Sequence, residues 1–157
     1  MSALIYFSSA GVRIAPKDQR VFTPLADWLV APGDSRNVLL AATDDPDALS
    51  GKLVGIDCIA VDFPKFNDGR GLSIARLLRG RVGWRGELRA VGEVARDQLF
   101  YMARCGFDAF DLRADQDAQA CLKAFAEISV LYQSAADEPE PLFRRRAQAL
   151  AALGEAR

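Results

Sequence analysis

The chain has no histidine among its 157 residues. That single absence removes imidazole general bases, histidine-containing triads and histidine metal sites together. Cysteine is scarce: Cys58, Cys105 and Cys121 are scattered and form no C-x-x-C pair. Three cysteines build neither a disulfide framework nor a four-cysteine iron–sulfur cluster. Long apolar runs are missing too, so no membrane span is expected. The opening Met1-Ser2-Ala3-Leu4-Ile5-Tyr6-Phe7 lacks a basic start and reaches polar Ser8-Ser9 too early for a signal peptide. A reducing, cytoplasmic setting is the expectation.

What is present suits a soluble globular domain, with 50% hydrophobic and 26% charged residues. The length fits one domain, placed at 1–136, followed by a linker and peripheral helix over 137–157. A net charge of −1 conceals an uneven distribution, because Lys65 to Arg113 holds ten basic residues against six acidic ones. The flanks are acidic. A local excess of this size suits a small anion or an acidic partner, whereas nucleic-acid binding needs a stronger basic balance, and none is expected.

Leu4-Ile5-Tyr6-Phe7 and Val12-Arg13-Ile14 around Gly11 read as a hairpin or paired edge strands. Thr23-Pro24 offers an N-cap and first-turn proline for a short helix through Val30. Apolar runs then alternate with helical stretches. Asn37 to Ala42 and Cys58 to Val61 read as strands, with a helix between them capped by Thr43-Asp44-Asp45-Pro46 and reaching about Leu53. The second strand does not alternate polar with apolar, which predicts cover on both faces. A helix from about Leu72 to Arg81, a strand at Glu87 to Val91 and a helix from Val94 to Cys105 follow, the last ended by Gly106. Phe107 to Leu112 is a strand. Asp115 to about Gln133 reads as one long helix with Leu122, Phe125, Ala126 and Ser129 near one face, and Leu142 to Arg157 as a terminal helix. This alternation predicts an α/β fold with a mainly parallel sheet and flanking helices, either flavodoxin-like or a partial (β/α) barrel.

Both architectures gather ligands at the carboxyl ends of parallel strands. There lies Asp62-Phe63-Pro64-Lys65-Phe66-Asn67-Asp68-Gly69-Arg70-Gly71. Its glycines permit positive φ or close approach, and the helix start after them presents free N–H groups and a positive dipole end. Lys65, Asp68, Gly69, Arg70, Gly71, Ser73 and Arg76 are therefore the candidate anion-binding residues, with Arg70, Ser73 and Arg76 on one polar stripe. Ile74 stands where a dinucleotide fingerprint needs its third glycine, and no Walker lysine follows. No iron–sulfur, haem or dinucleotide motif is found, and the cofactor stays unassigned. Asp62 and Asp68 are candidate acid/base groups, with Tyr101 as a ligand donor. Their alternative roles are capping and pairing with Arg70 or Lys65, and no metal site is expected. Phe143, Arg144, Arg145 and Arg146 form a candidate docking segment for an acidic partner.

Three blocks of sequence carry a family resemblance. They are Asp62 to Gly71 continuing into Ser73-Ile74-Ala75-Arg76-Leu77-Leu78-Arg79, then Gly86 to Gly92 with Asp97 to Asp108, and Tyr132-Gln133 followed by Pro141 to Arg146. Together they resemble the bacterial domain-of-unknown-function family 934, over roughly Asn37 to Arg146. The segment before Asn37 matches least. Members are described as oxidoreductases of sulfite reduction. The resemblance thus implies a place in assimilatory sulfur metabolism, with sulfite reductase or another protein of that pathway as partner, but it carries no catalytic residues. The missing cluster ligands argue against this chain being the sirohaem reductase itself. Two expectations result: an accessory protein that binds a small anion or a reductase through Asp62 to Arg76, or a true oxidoreductase with a bound or borrowed redox cofactor.

Overall fold

A computed structural model describes residues 3–128, 131–136 and 138–155. The strands are β1 (Ala3–Ser8), β2 (Gly11–Pro16), β3 (Thr23–Pro24), β4 (Asn37–Leu40), β5 (Cys58–Phe63), β6 (Glu87–Gly92) and β7 (Ala109–Asp111). All seven join one open sheet in the order β2-β1-β7-β6-β5-β4-β3. From β3 to β7 each strand lies parallel beside its predecessor, while β1 is antiparallel to both β2 and β7. The fold is α/β, with the expected hairpin at one edge. A flavodoxin-like order reverses direction at its first strand; here successive strands are added one way, as in a partial (β/α) barrel.

Right-handed crossovers in one direction put the helices between parallel strands on the same sheet face. The core agrees. Ile5, Val38, Leu40, Ile59, Val61, Phe63, Leu88, Ala90 and Phe110 share one face by register and join one apolar cluster with the buried helix residues. Those helices are α1 (Leu25–Val30), α2 (Arg70–Leu77), α3 (Arg96–Cys105) and α4 (Ala118–Leu122). Leu4, Cys58, Ala60 and Ala109 are equally buried yet lie outside that cluster, on the opposite face.

Residues Lys17 to Phe22 cover that opposite face. They connect β2 to β3, the two outer strands. Six strand spacings of about 4.8 Å make a flat sheet about 29 Å wide, whereas the seven residue steps from Pro16 to Thr23 reach at most about 25 Å. The sheet must therefore curl, with this strap across its concave side. Lys17 Nζ lies 2.6 Å from Asp111 Oδ2 on β7. The Arg89 guanidinium on β6 donates twice to Asp18 at 2.8 Å and also donates to Glu87, and Arg20 donates to Glu87 at 3.0 Å. Phe22 lies under the Arg89 guanidinium, 5.5 Å from ring centre to Cζ. Both faces of β5 are indeed covered, but by helices on one side and an ionic strap on the other.

Several element boundaries differ from expectation. Thr23 is no cap: it pairs with Val38 as part of β3, and Pro24 takes the N-cap of α1. After β4 comes only a 3₁₀ turn, Pro46–Leu49, where the Asp45 side chain accepts from Asp47 N at 2.9 Å. Helix α2 begins two residues earlier than expected and passes into a π turn, Leu78–Val82, closed by Gly83 at φ 82°. The long helix expected from Asp115 to Gln133 is instead α4 plus a 3₁₀ turn, Lys123–Phe125. The Phe125 ring packs between Phe7 and Phe110, at 5.2 and 5.4 Å. Further along, Ala136 N donates to Arg104 O at 3.1 Å. Ser129 of the expected stripe lies outside the described residues, as does Asp137 of the linker. Helix α5 (Leu142–Glu155) is the expected terminal helix, with Ala156 and Arg157 equally outside.

Candidate functional site

The predicted anion loop sits at the carboxyl end of β5, and its aspartate and arginine are already matched to each other. Asp68 Oδ1 accepts from Arg70 N at 3.2 Å and Arg70 Nε at 2.9 Å, while Oδ2 accepts from Arg70 Nη2 at 2.6 Å. These bonds hold the Asp68 carboxyl down at about 2. One aspartate thus occupies both the helix start and the guanidinium that an anion would need. Neither Gly69 nor Gly71 has positive φ. Gly71 serves packing, since a Cβ there would fall 2.7 Å from the Phe63 ring. Lys65 and Ser73 are exposed.

Between this loop and α3 lies a pocket of about 250 Å³ that brings Asp68 and Tyr101 together with Phe66 and Gln98. Gln98 Nε2 donates to Phe66 O at 2.7 Å, tying the loop to α3. Asp62 does not line this pocket. It lies on the concave face, where burial raises its pKa. Gly92, at φ 93°, allows β6 to press against it: a Cβ there would stand 2.8 Å from Asp62 Oδ1. Elsewhere on this rim Arg113 bridges Glu93 at 2.8 Å and Asp115 at 2.6 Å. On this rim Arg70 and Arg113 are held by carboxylates, whereas Lys65 has no carboxylate partner among the described residues.

Arg76 lies elsewhere. Six residues at 1.5 Å rise separate it from Arg70 by about 9 Å along α2, and the helix runs back towards the amino ends of the strands. There Arg76, Arg79 and Arg85 line a cleft of about 460 Å³ with Phe7, Ala103 and Pro139. Arg79 is fixed. It donates to Gly106 O at 2.9 Å, Trp84 O at 3.0 Å, Gly86 O at 2.8 Å and Asp108 Oδ2 at 2.7 Å. The other Asp108 oxygen accepts from Leu88 N at 2.8 Å. Burial nonetheless raises the Asp108 pKa and lowers that of Arg79. Arg85 donates to Arg79 O at 3.0 Å, and neither Arg85 nor Arg76 pairs with a carboxylate among the described residues. These are the cations that the cleft offers to a ligand.

A model of a bacterial protein family of unknown function, DUF934, matches residues 37–143. The chain belongs to that family. No curated protein and no solved structure matches it. Within this DUF934 chain the matched span carries β4 to β7 and the arginines of the cleft, whereas the hairpin and strap precede it.

Of the docking candidates, Phe143, Arg144 and Arg146 face solvent on α5, with the Arg144 guanidinium 5.9 Å from the Phe143 ring centre. Arg145 turns inward, donating to Leu131 O at 2.8 Å. All three cysteines are buried, and burial pushes the Cys58 thiol up to about 12, which disfavours a thiolate there. Among the described residues no cluster of three or more Cys, Asp or Glu is placed to hold a metal, and no helix is long and apolar enough to cross a membrane.

The sequence reading missed Arg79, Arg85, Arg89 and the strap as organisers of sites. One signal was available: Glu87-x-Arg89 places opposite charges two residues apart in a strand, hence on one face. The convergence of Arg85 with Arg76 had no local signal, since it depends on how the loop before β6 folds beneath α2.

Proposed function

We propose that this DUF934 protein is an anion-binding accessory factor of assimilatory sulfite reduction, with its ligand seated in the cleft at the amino ends of the strands. One observation carries the choice of site: Arg76 and Arg85 line one cavity with no carboxylate engaging either among the described residues. The loop at the opposite end offers Arg70, which its own aspartate already holds, and one exposed lysine, Lys65, with no unmatched cation lining its pocket. A guanidinium hydrogen-bonded to an oxyanion contributes about 1.5–3 kcal/mol. The pathway follows from the family resemblance, and the anionic species of that pathway suit such a cleft.

Calorimetric titration with sulfite and sulfate at low ionic strength tests the site. Arg76→Ala is expected to weaken binding about tenfold to a hundredfold, in line with losing one charged hydrogen bond, and Arg70→Ala to leave it unchanged. Absence of binding at low salt, or equal binding by Arg76→Ala, sinks the proposal. Adding the protein to a sulfite reductase assay tests the accessory role, and an unchanged rate and an unchanged KM for sulfite count against it.

The second reading, a true oxidoreductase, has one observation in its favour: Asp68 and Tyr101 share the 250 Å³ pocket. The Arg70 pairing keeps Asp68 ionised and unsuited to donating a proton at neutral pH. A visible flavin or haem spectrum in the purified protein, with NADPH-dependent sulfite consumption, would favour this reading over the first.

A further inference from the structure

The cleft is too large and too apolar for the inorganic anion alone. A water molecule occupies about 30 Å³, so an oxyanion of four or five heavy atoms fills at most about 150 Å³ even at a full water's share per atom. The cleft measures about 460 Å³, within the ~300–1,000 Å³ range of sites that enclose organic ligands. Its lining is divided. The guanidinium groups with no carboxylate partner among the described residues come from Arg76 and Arg85, whereas Phe7, Ala103, Ala136 and Pro139 supply carbon surface. Phe7 is held by its stack on Phe125, 5.2 Å between ring centres and 17° from parallel, so it forms a fixed wall.

The remaining charges are accounted for. Arg79 is locked to three carbonyls and Asp108, and Asp108 accepts from both Arg79 and Leu88 N, so this wall carries little net repulsion towards an anion. Small residues at Gly80, Ala103, Gly106 and Ala136 keep the space open. At Gly106 any side chain would collide, because a Cβ would stand 2.6 Å from Arg79 Cγ. The cavity is thus walled by a stacked ring and small side chains, with cations joining the same lining.

Resting on the anion-binding proposal above, we infer that the ligand is an organic sulfate or phosphate ester, its oxyanion held by Arg76 and Arg85 and its ring-bearing, apolar body lying against Phe7, Ala136 and Pro139. The ester oxygens take charged hydrogen bonds from planar guanidinium groups that match them in geometry. The body displaces water from the carbon-lined part, and this adds affinity that free sulfate cannot gain. Arg76 and Arg85 set charge selectivity, and the Ala136 side sets the permitted size of the body.

The test is titration of the full chain at low ionic strength with sulfate, phenyl phosphate, 4-nitrophenyl sulfate and benzyl alcohol. Both esters are expected to bind at least tenfold tighter than sulfate, and benzyl alcohol not measurably. Ala136→Trp and Ala136→Leu fill the apolar part without removing a cation; circular dichroism and thermal melting confirm that they fold. They are expected to bring ester affinity down to that of sulfate, while Arg76→Ala weakens both ligand classes. Equal affinity for sulfate and esters overturns the ester inference and leaves the anion site standing. Unchanged ester binding in the folded Ala136 variants also overturns it. Failure of every anion to bind overturns both proposals together.

Discussion

The two ends of the parallel strands differ in how their arginines are matched. At the carboxyl end, Asp68 holds Arg70, Arg113 bridges Glu93 and Asp115, and Lys17 meets Asp111. In the cleft at the amino end, Arg79 is matched by Asp108, whereas Arg76 and Arg85 face a cavity with no carboxylate on either among the described residues. The general preference of α/β folds for ligands at carboxyl ends would have directed attention to the first. The difference teaches that topology nominates a place, whereas the balance of matched and unmatched charge decides whether that place can bind. Helix α2 connects the two: its start is neutralised locally, and its later turns carry Arg76 away to the other rim.

The sharpest way to break this contrast is to remove the organising arginine of each end. Arg79 is 15% exposed and satisfies three carbonyls and a carboxylate. Arg79→Met is expected to cost about 2–3 kcal/mol, since it leaves three carbonyls without their donor while solvent reaches the half-exposed Asp108 carboxylate. Arg113 bridges half-exposed acids at the surface, and Arg113→Met should move the unfolding midpoint far less, because water screens the pairs it breaks. Urea denaturation measures both. Equal losses would mean that the two ends are not organised differently.

Two carboxylates six residues apart should titrate with opposite sign. Hydrogen bonds from Arg70 depress the Asp68 pKa to about 2. Its contribution is therefore fully present above the ordinary aspartate value near 3.8 and is lost as pH falls towards 2. Asp68→Asn should flatten that part of the acid-denaturation curve. Burial instead raises the Asp62 pKa, so its ionised form opposes folding at neutral pH and the penalty fades as pH drops through the raised value. Asp62→Asn is expected to stabilise the protein at pH 7 by at most about 1 kcal/mol, since solvent still screens part of the charge, with the gain disappearing in acid. Melting temperatures at pH 7 and pH 3 check the sign. The smallest effect belongs to Arg70→Ala, which breaks a solvent-exposed pair and should leave the melting temperature at pH 7 nearly unchanged.

The strap adds its own acid sensitivity. Hydrogen bonds from Arg89 lower the Asp18 pKa, and burial of Arg89 is outweighed by its bonds to Asp18 and Glu87, which hold its guanidinium charged. Stability from this contact is present above the unfolded aspartate pKa and declines below it. Asp18→Asn should therefore shift the acid midpoint in the same direction as Asp68→Asn. A midpoint unchanged in both variants would remove ion pairing as the source of acid lability.

Much of the architecture was legible from apolar periodicity. Cys58 to Val61 and Glu87 to Val91 read as strands because their side chains are dictated by burial, and Gly106 marked the end of α3 because glycine tolerates its left-handed φ of 112° without strain. The long helix after Asp115 was misread. Its composition is compatible with helix, but Phe125 is anchored by two distant phenylalanines and the following segment is recruited to wall the cleft. Propensity yields to tertiary contacts there. The anion loop was legible as a loop and a helix start, whereas its neutralisation by Asp68 was visible only as one of two alternatives.

The amino-acid sequence by itself determined the α/β class, the absence of histidine chemistry, the lack of a C-x-x-C pair and the membership of DUF934. Each depends on composition or on short-range order, which the chain carries without folding. Only the tertiary structure decided that the strands are laid down in one direction, that a seven-step strap forces the sheet to curl, and that Arg76 keeps company with Arg85 rather than Arg70. Those facts depend on contacts between residues distant in sequence, where crossover handedness and chain reach select the partners.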